Sequence, residues 1–249
     1  MSGRLAWITG ASSGLGRALS RQLIKDGWRV AASARRDREL ETLSEETGGR
    51  AMAFPLDITD RHAVERAVEN IVERCGPIDL AVLNAGTYFP DGSDDFSAEG
   101  LARTVGLNLI GAGNCLDPLL RHYRARNCGH VALVASLSGY RGLPRAASYG
   151  ASKAGLINLA ESLRTQAPAL GIKVQLINPG FVRTPLTDKN DHPMPFLISA
   201  EQAALAICQG LHSNQFEIAF PWRFAAILKL ARLLPDRPYF ALVHKVTGL

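Results

Sequence analysis

The chain has 249 residues, 47% hydrophobic and 20% charged, a balance that fits one large folded domain and excludes an intrinsically disordered chain. Its 28 basic and 23 acidic residues leave a net charge of +5, and without a basic stripe interleaved with aromatics no nucleic-acid partner is expected. Four scattered cysteines, Cys75, Cys115, Cys128 and Cys208, form neither a C-x-x-C pair nor a cluster with histidine, so the expectation is reduced thiols in a soluble cytoplasmic protein, with no metal site, secretory leader or membrane span.

The first apolar run, residues 4–9, has the length and composition of a buried strand. It leads into TGASSGLG at 9–16, which sets Gly10, Gly14 and Gly16 around Ser12, Ser13 and Leu15, and then into a helical pattern that stops at Gly27. Glycines suit such a strand-to-helix turn because a Cβ would block the close approach of a pyrophosphate, whose charge the helix N-terminus attracts. The second strand, 28–34, ends in Arg35 and Arg36. An acid at this junction would accept from a ribose 2′-hydroxyl, whereas arginines suit a 2′-phosphate. The pair therefore points to NADP(H) over NAD(H), the alternative being a solvated helix start.

A helix at 37–47 and a strand at 51–57 follow, and the strand delivers Asp57 and Ile58 to its carboxyl end. Residues 60–74 carry Val64, Val68 and Ile71 on one helical face, and the strand 78–83 ends in Asn84, Ala85 and Gly86. Residues 97–126 read as one long helix with Asn108 in its middle, and 130–136 as a fifth strand ending at Ser136. Strands alternating with helices at this interval predict crossover connections and a doubly wound parallel sheet of the α/β class, with ligands gathered at the strands' carboxyl ends.

Tyr149 and Lys153 are four apart, so they share one face of a helix that opens near Tyr149. A fixed ammonium beside a phenol favours the phenolate and would bring a group that ordinarily titrates near pH ~10 into use as a general acid or base. Ser136 lies upstream across a loop containing Gly139, Gly142 and Pro144. Folding that loop back would let both hydroxyls grip one oxygen atom, an arrangement suited to a carbonyl that becomes an alcohol; Ser138 is a rival for the same role. A sixth strand, 172–178, ends at Asn178, followed by Pro179 and Gly180.

TGASSGLG at 9–16, Asp57, NAG at 84–86, Asn108 within GLNLIG, Ser136, YGASK at 149–153 and PGFVRT at 179–184 occur in order along most of the chain. In this the sequence resembles the short-chain dehydrogenases/reductases. The resemblance implies a Rossmann-type fold, a nicotinamide cofactor and hydride transfer between that cofactor and a small carbonyl or alcohol. It implies that Tyr149 is the catalytic acid or base, that Ser136 polarises the substrate oxygen, and that Lys153 lowers the Tyr149 pKa and binds the nicotinamide ribose. Asn108 would hold a water leading from Lys153 to solvent. Gly10, Gly14 and Gly16, with Ser12, Ser13 and Leu15, would surround the pyrophosphate, Asp57 and Ile58 the adenine, and Asn84, Ala85 and Gly86 the cofactor's centre. Pro179, Gly180, Val182 and Thr184 would lie against the nicotinamide end. A homodimer or homotetramer is also implied. A cofactor-binding sensor without turnover is the rival class, and the intact Ser136, Tyr149 and Lys153 set argues against it.

The domain is expected to run over 1–220, with 221–249 as an amphipathic helical extension of it. Within the segment 181–198, Pro185, Pro193 and Pro195 exclude a continuous helix, and a substrate lid is expected there. Tyr140, Leu143, Phe181, Met194 and Phe196 are the expected apolar lining, and His192 a surface residue. In the extension, Arg223, Lys229, Arg232, Arg237 and Lys245 face one acid, Asp236. Packing on the domain or on a subunit partner is the plain expectation for it, and peripheral membrane contact the alternative.

Overall fold

A computed structural model describes residues 3–189 and 193–248; His192 lies outside the described residues. Seven parallel strands form one sheet: β1 (Leu5–Thr9), β2 (Arg29–Ala34), β3 (Ala51–Pro55), β4 (Leu80–Leu83), β5 (Gly129–Val134), β6 (Ile172–Pro179) and β7 (Glu217–Phe220). Their spatial order is β3-β2-β1-β4-β5-β6-β7. The chain winds outward from β1 in one direction and from β4 in the other, so these two neighbours flank the topological switch point.

Every residue of β1 is buried, because both faces of a parallel sheet are covered by its own crossover helices. The side-chain alternation of that strand divides the core in two. Leu5 and Trp7 join a cluster packed under α3 (Arg61–Cys75), α5 (Gly111–Arg126) and α6 (Ala147–Gln166). Ala6 and Ile8 join the cluster under α1 (Gly14–Lys25), α2 (Asp37–Glu46) and α7 (Ala200–His212). Within α1 the buried Leu19, Leu23 and Ile24 recur at helical spacing. At the start of α3, Asp60 caps the helix by accepting from the Ala63 N–H at 2.9 Å.

The structure departs from the sequence reading in several places. The 97–126 segment is a helical run interrupted by a π-helical turn: α4 (Ala98–Val105), the turn Gly106–Ile110 that contains Asn108, then α5. β3 and β5 end at Pro55 and Val134, so Asp57 and Ser136 stand on the loops beyond the strands. Residues 199–220, to which the sequence reading assigns no element, hold α7 and β7. A capping box at Ser199 and Gln202 starts α7, and β7 pairs in parallel with β6. The extension forms two helices, α8 (Trp222–Arg232) and α9 (Asp236–Thr247), divided at Pro235. No helix among the described residues is long and apolar enough to cross a membrane.

Candidate active site

The carboxyl ends of β1, β2, β4, β5 and β6 open into one cleft of about 340 Å³. Gly10, Ser12, Ser13, Gly14, Leu15, Gly16, Arg35, Arg36, Asp57, Ile58, Asn84, Ala85, Gly86, Ser136, Tyr149, Lys153, Pro179, Gly180, Val182 and Thr184 all line it. Of the residues predicted for catalysis or cofactor binding, Asn108 alone stands outside its wall, fully buried behind it, and none of the expected apolar lining, Tyr140, Leu143, Phe181, Met194 and Phe196, reaches it.

At the end beside β1, the turn is tight enough to demand glycine. A Cβ on Gly16 would stand 2.3 Å from the Gly10 carbonyl oxygen and 2.6 Å from Asn84 Nδ2, closer than any side chain tolerates. Asn84 braces this turn from β4: its Nδ2 donates to the Thr9 carbonyl at 3.0 Å, and its backbone N–H donates to Thr9 Oγ1 at 3.0 Å. Ser13 sits at the N-cap of α1 without a side-chain capping bond, so the first-turn amides are not taken up by that hydroxyl. An Arg36 guanidinium nitrogen instead donates to Ser12 Oγ at 2.9 Å and Ser13 Oγ at 2.7 Å, with the Glu39 carboxylate 3.4 Å from another. A positive group thus lies across the outer rim of the glycine turn. Asp57 accepts from the Thr59 N–H and hydroxyl at 2.9 and 2.8 Å. Burial works against its ionisation, but these bonds and the nearby Arg35 hold its carboxyl below the usual carboxylate range.

At the other end, the loop after β5 turns back along α6. Gly139 permits it, since a Cβ there would lie 2.8 Å from the backbone carbonyl carbon of Lys153. Ser136 is thereby brought to the same cleft wall as Tyr149, its hydroxyl close enough to favour the phenolate, and its Oγ donates a long bond to the Pro179 carbonyl at 3.5 Å. Ser136 Oγ also accepts from the Ser138 N–H at 3.1 Å, so Ser138 contributes its backbone to this hydroxyl. Lys153, only 3% exposed, projects its Nζ 5.6 Å from the centre of the Tyr149 ring and donates to the Val134 carbonyl at 2.8 Å. The Tyr88 ring meets that of Tyr149 edge-on at 5.2 Å.

The electrostatics differ from the expected lowering of the Tyr149 pKa by Lys153. Burial pushes the Tyr149 hydroxyl up to about 12, while the nearby Ser136 hydroxyl pulls the other way. Part of the Tyr149 side chain remains accessible from the cleft, which moderates the burial cost. Lys153 is pushed down to about 8 by burial, and its Nζ bonds a backbone carbonyl. Behind both, Asn108 Oδ1 accepts from the Thr87 N–H at 2.7 Å, and Nδ2 donates to the Thr87 carbonyl at 3.0 Å and to Ser152 Oγ at 2.9 Å. It ties the loop after β4 to α6.

The ends of the 181–198 segment are pinned together. The Ile198 N–H donates to the Phe181 carbonyl at 3.1 Å, and the Arg183 N–H to the Ile198 carbonyl at 2.9 Å. Phe181 and Phe196 each stack on Phe224 of α8 at 5.7 Å between ring centres. Tyr140 does not line the cleft: its hydroxyl donates to Glu217, which also accepts from Asn178 Nδ2 at 2.6 Å and pairs with Lys229. Phe224, Tyr88 and Asp91, which joins the start of α6, are site-building residues without a sequence signal; each acts through a partner distant in the chain.

The family model for short chain dehydrogenase matches residues 4–194. An uncharacterized oxidoreductase of Myxococcus xanthus is 36% identical over 99% of this chain and 98% of its own length. Among solved structures, a short-chain dehydrogenase from Streptomyces avermitilis superposes with a TM-score of 0.85 at 27% identity, over 99% of this chain and 97% of that one. The 3-ketoacyl-(acyl-carrier-protein) reductase from Brucella melitensis, complexed with NADH, superposes with a TM-score of 0.81 at 26% identity, over 88% of this chain and 97% of that one. With sequence, fold and cleft in agreement, this chain is an oxidoreductase that belongs to the short-chain dehydrogenase family.

Proposed function

We propose that this protein is an NADP(H)-dependent oxidoreductase that moves hydride between the nicotinamide and a small carbonyl or alcohol, with Tyr149 as its general acid and base. The observation that carries the reading is the convergence of Ser136, Tyr149 and Lys153 on the same cleft as the glycine turn. The residues fit a dinucleotide: the turn has no room for a Cβ at Gly16, and Arg36 spans Ser12 and Ser13 at its rim. That guanidinium suits a 2′-phosphate and supports NADP(H) over NAD(H). Free cysteines among the described residues suit a reducing, cytoplasmic setting.

A nicotinamide held in this cleft would supply hydride chemistry at the carbonyl carbon, in either direction. As the carbonyl electron pair shifts onto oxygen, Tyr149 gives that oxygen its hydroxyl proton. The Ser136 hydroxyl accepts from the Ser138 N–H at 3.1 Å and donates only a long bond, 3.5 Å, to the Pro179 carbonyl, which it exchanges for a bond to the same substrate oxygen. Lys153, with its pKa near 8, is largely an ammonium at neutral pH and supports the negative charge left on the phenol.

The test is titration with NADPH and NADH by nicotinamide fluorescence, followed by a panel of aldehydes and ketones. Tyr149→Phe should retain cofactor binding and lose roughly a hundred- to ten-thousand-fold in kcat. NADPH binding with no turnover of any carbonyl, or turnover that survives Tyr149→Phe, counts against the reading.

A further inference from the structure

The two C-terminal helices pack one side on the domain, α8 through Phe224 against Phe181 and Phe196, and leave another side bare. On α8 the inner side holds Ala225, which is buried, and Phe224 and Leu228, which pack on the core. Trp222, Leu230 and Leu233 recur on the opposite side and are 71%, 67% and 79% exposed, an apolar stripe. On α9, Phe240 and Val246 add exposed apolar surface.

Charge distinguishes between candidate occupants. The one acid in this segment, Asp236, pairs with Arg141 of the β5–α6 loop at 2.6 Å, and Lys229 is paired with Glu217. Arg223, Arg237 and Lys245 are exposed without an acid of their own helices left to neutralise them. A second copy placed isologously on this surface would bring these cations against themselves. An anionic lipid surface would neutralise them and accept the tryptophan and leucines at headgroup depth.

We propose that α8 and α9 dock this protein peripherally on an anionic membrane surface, with Trp222, Leu230 and Leu233 entering the interface and Arg223, Arg237 and Lys245 meeting lipid phosphates. The helix that would lie on the bilayer is the one that holds Phe181 and Phe196 of the 181–198 segment through Phe224. Docking itself does not depend on turnover.

Flotation of the full chain with vesicles of phosphatidylcholine, and of phosphatidylcholine mixed with phosphatidylglycerol, tests this. The protein is expected to bind the anionic vesicles at least about tenfold more tightly, and binding should weaken with salt. Trp222→Ser with Leu230→Ser and Leu233→Ser should abolish flotation, and Arg223→Glu with Arg237→Glu should lower it about tenfold or more. Circular dichroism, melting temperature and NADPH binding should stay unchanged, since the altered side chains face outward. Absence of wild-type flotation, equal flotation with neutral vesicles, or flotation untouched by either set of substitutions overturns the proposal. So does self-association in sedimentation velocity that the triple serine variant abolishes, which would assign the stripe to a second copy.

Discussion

The carboxylate of Asp91 accepts from both the backbone N–H of Ser148, at 3.1 Å, and its hydroxyl, immediately before Tyr149 in the first turn of α6. The N-cap residue of that helix, Ala146, has no capping side chain. Asp91, 57 residues earlier in the chain, supplies the missing acceptor and a negative charge at the positive end of the helix dipole.

Asp91→Ala should therefore cost about 1–2 kcal/mol of stability. It should also lower kcat more than it weakens NADPH binding, because the first turn of α6 places the Tyr149 hydroxyl and not the glycine turn. Asp91→Asn keeps an acceptor and should recover most of the stability. Denaturant melts and steady-state kinetics on the two variants check this; equal loss of kcat and of NADPH affinity in the alanine variant would show a general structural effect instead.

Arg36→Ala removes the guanidinium that spans Ser12 and Ser13. A charge-assisted bond to a 2′-phosphate contributes about 1.5–3 kcal/mol, so NADPH binding should weaken roughly ten- to hundredfold. NADH binding should change by less than about twofold, as it brings no phosphate to that rim. Parallel fluorescence titrations read the difference directly.

Lys153 makes the stability of the protein depend on pH in a defined window. Burial lowers its folded pKa to about 8, from an ordinary lysine value of 10.5. Below pH 8 both folded and unfolded chains carry the charge, and the cost of burying it is present in full. Between about 8 and 10.5 the unfolded chain binds more protons, so stability rises with pH, and above that range the cost is gone. Tyr149 acts in the opposite sense, but only above its unfolded value near 10, since its folded pKa is raised to about 12. Lys153→Met should thus be more stable than wild type at pH 7. The shift sets an upper limit of about 3 kcal/mol, and the lost bond to the Val134 carbonyl reduces it to about 1–2 kcal/mol. The advantage should shrink between pH 8 and 10, which urea melts across that range would show.

Phe224→Ala takes away the ring on which Phe181 and Phe196 stack. Two aromatic contacts and partial burial correspond to a loss of about 1–3 kcal/mol. The substrate KM should rise several-fold while the NADPH dissociation constant holds, because the glycine turn is at the other end of the cleft. Kinetics with the best carbonyl from the panel would check it; a matching loss of NADPH affinity would mean that Phe224 supports the whole cleft.

Much of the cleft was legible because its parts are local. A glycine turn between a strand and a helix, two arginines at a strand end, and a tyrosine and lysine one helical turn apart each state their chemistry within a few residues. The six strands read from apolar runs all occur, since a parallel sheet buries both faces and needs continuous apolar segments. β7 escaped because only four residues of it pair, and only with β6. The π-helical turn at Asn108 escaped because a polar residue inside a helix has no distinctive periodicity; its hydrogen bonds run to Thr87 and Ser152.

The amino-acid sequence by itself determined the α/β winding, the position of the cleft and the glycine-turn, strand-end and Tyr149–Lys153 residues on its wall, since alternation, glycine spacing and strand ends are properties of neighbouring residues. Only the tertiary structure decided the direction of the Tyr149 shift, the cap that Asp91 places on α6, the diversion of Tyr140 to Glu217 and the seat of Phe224 against Phe181 and Phe196. Burial and partnership across dozens of residues are set by packing, and no local pattern in the chain encodes them.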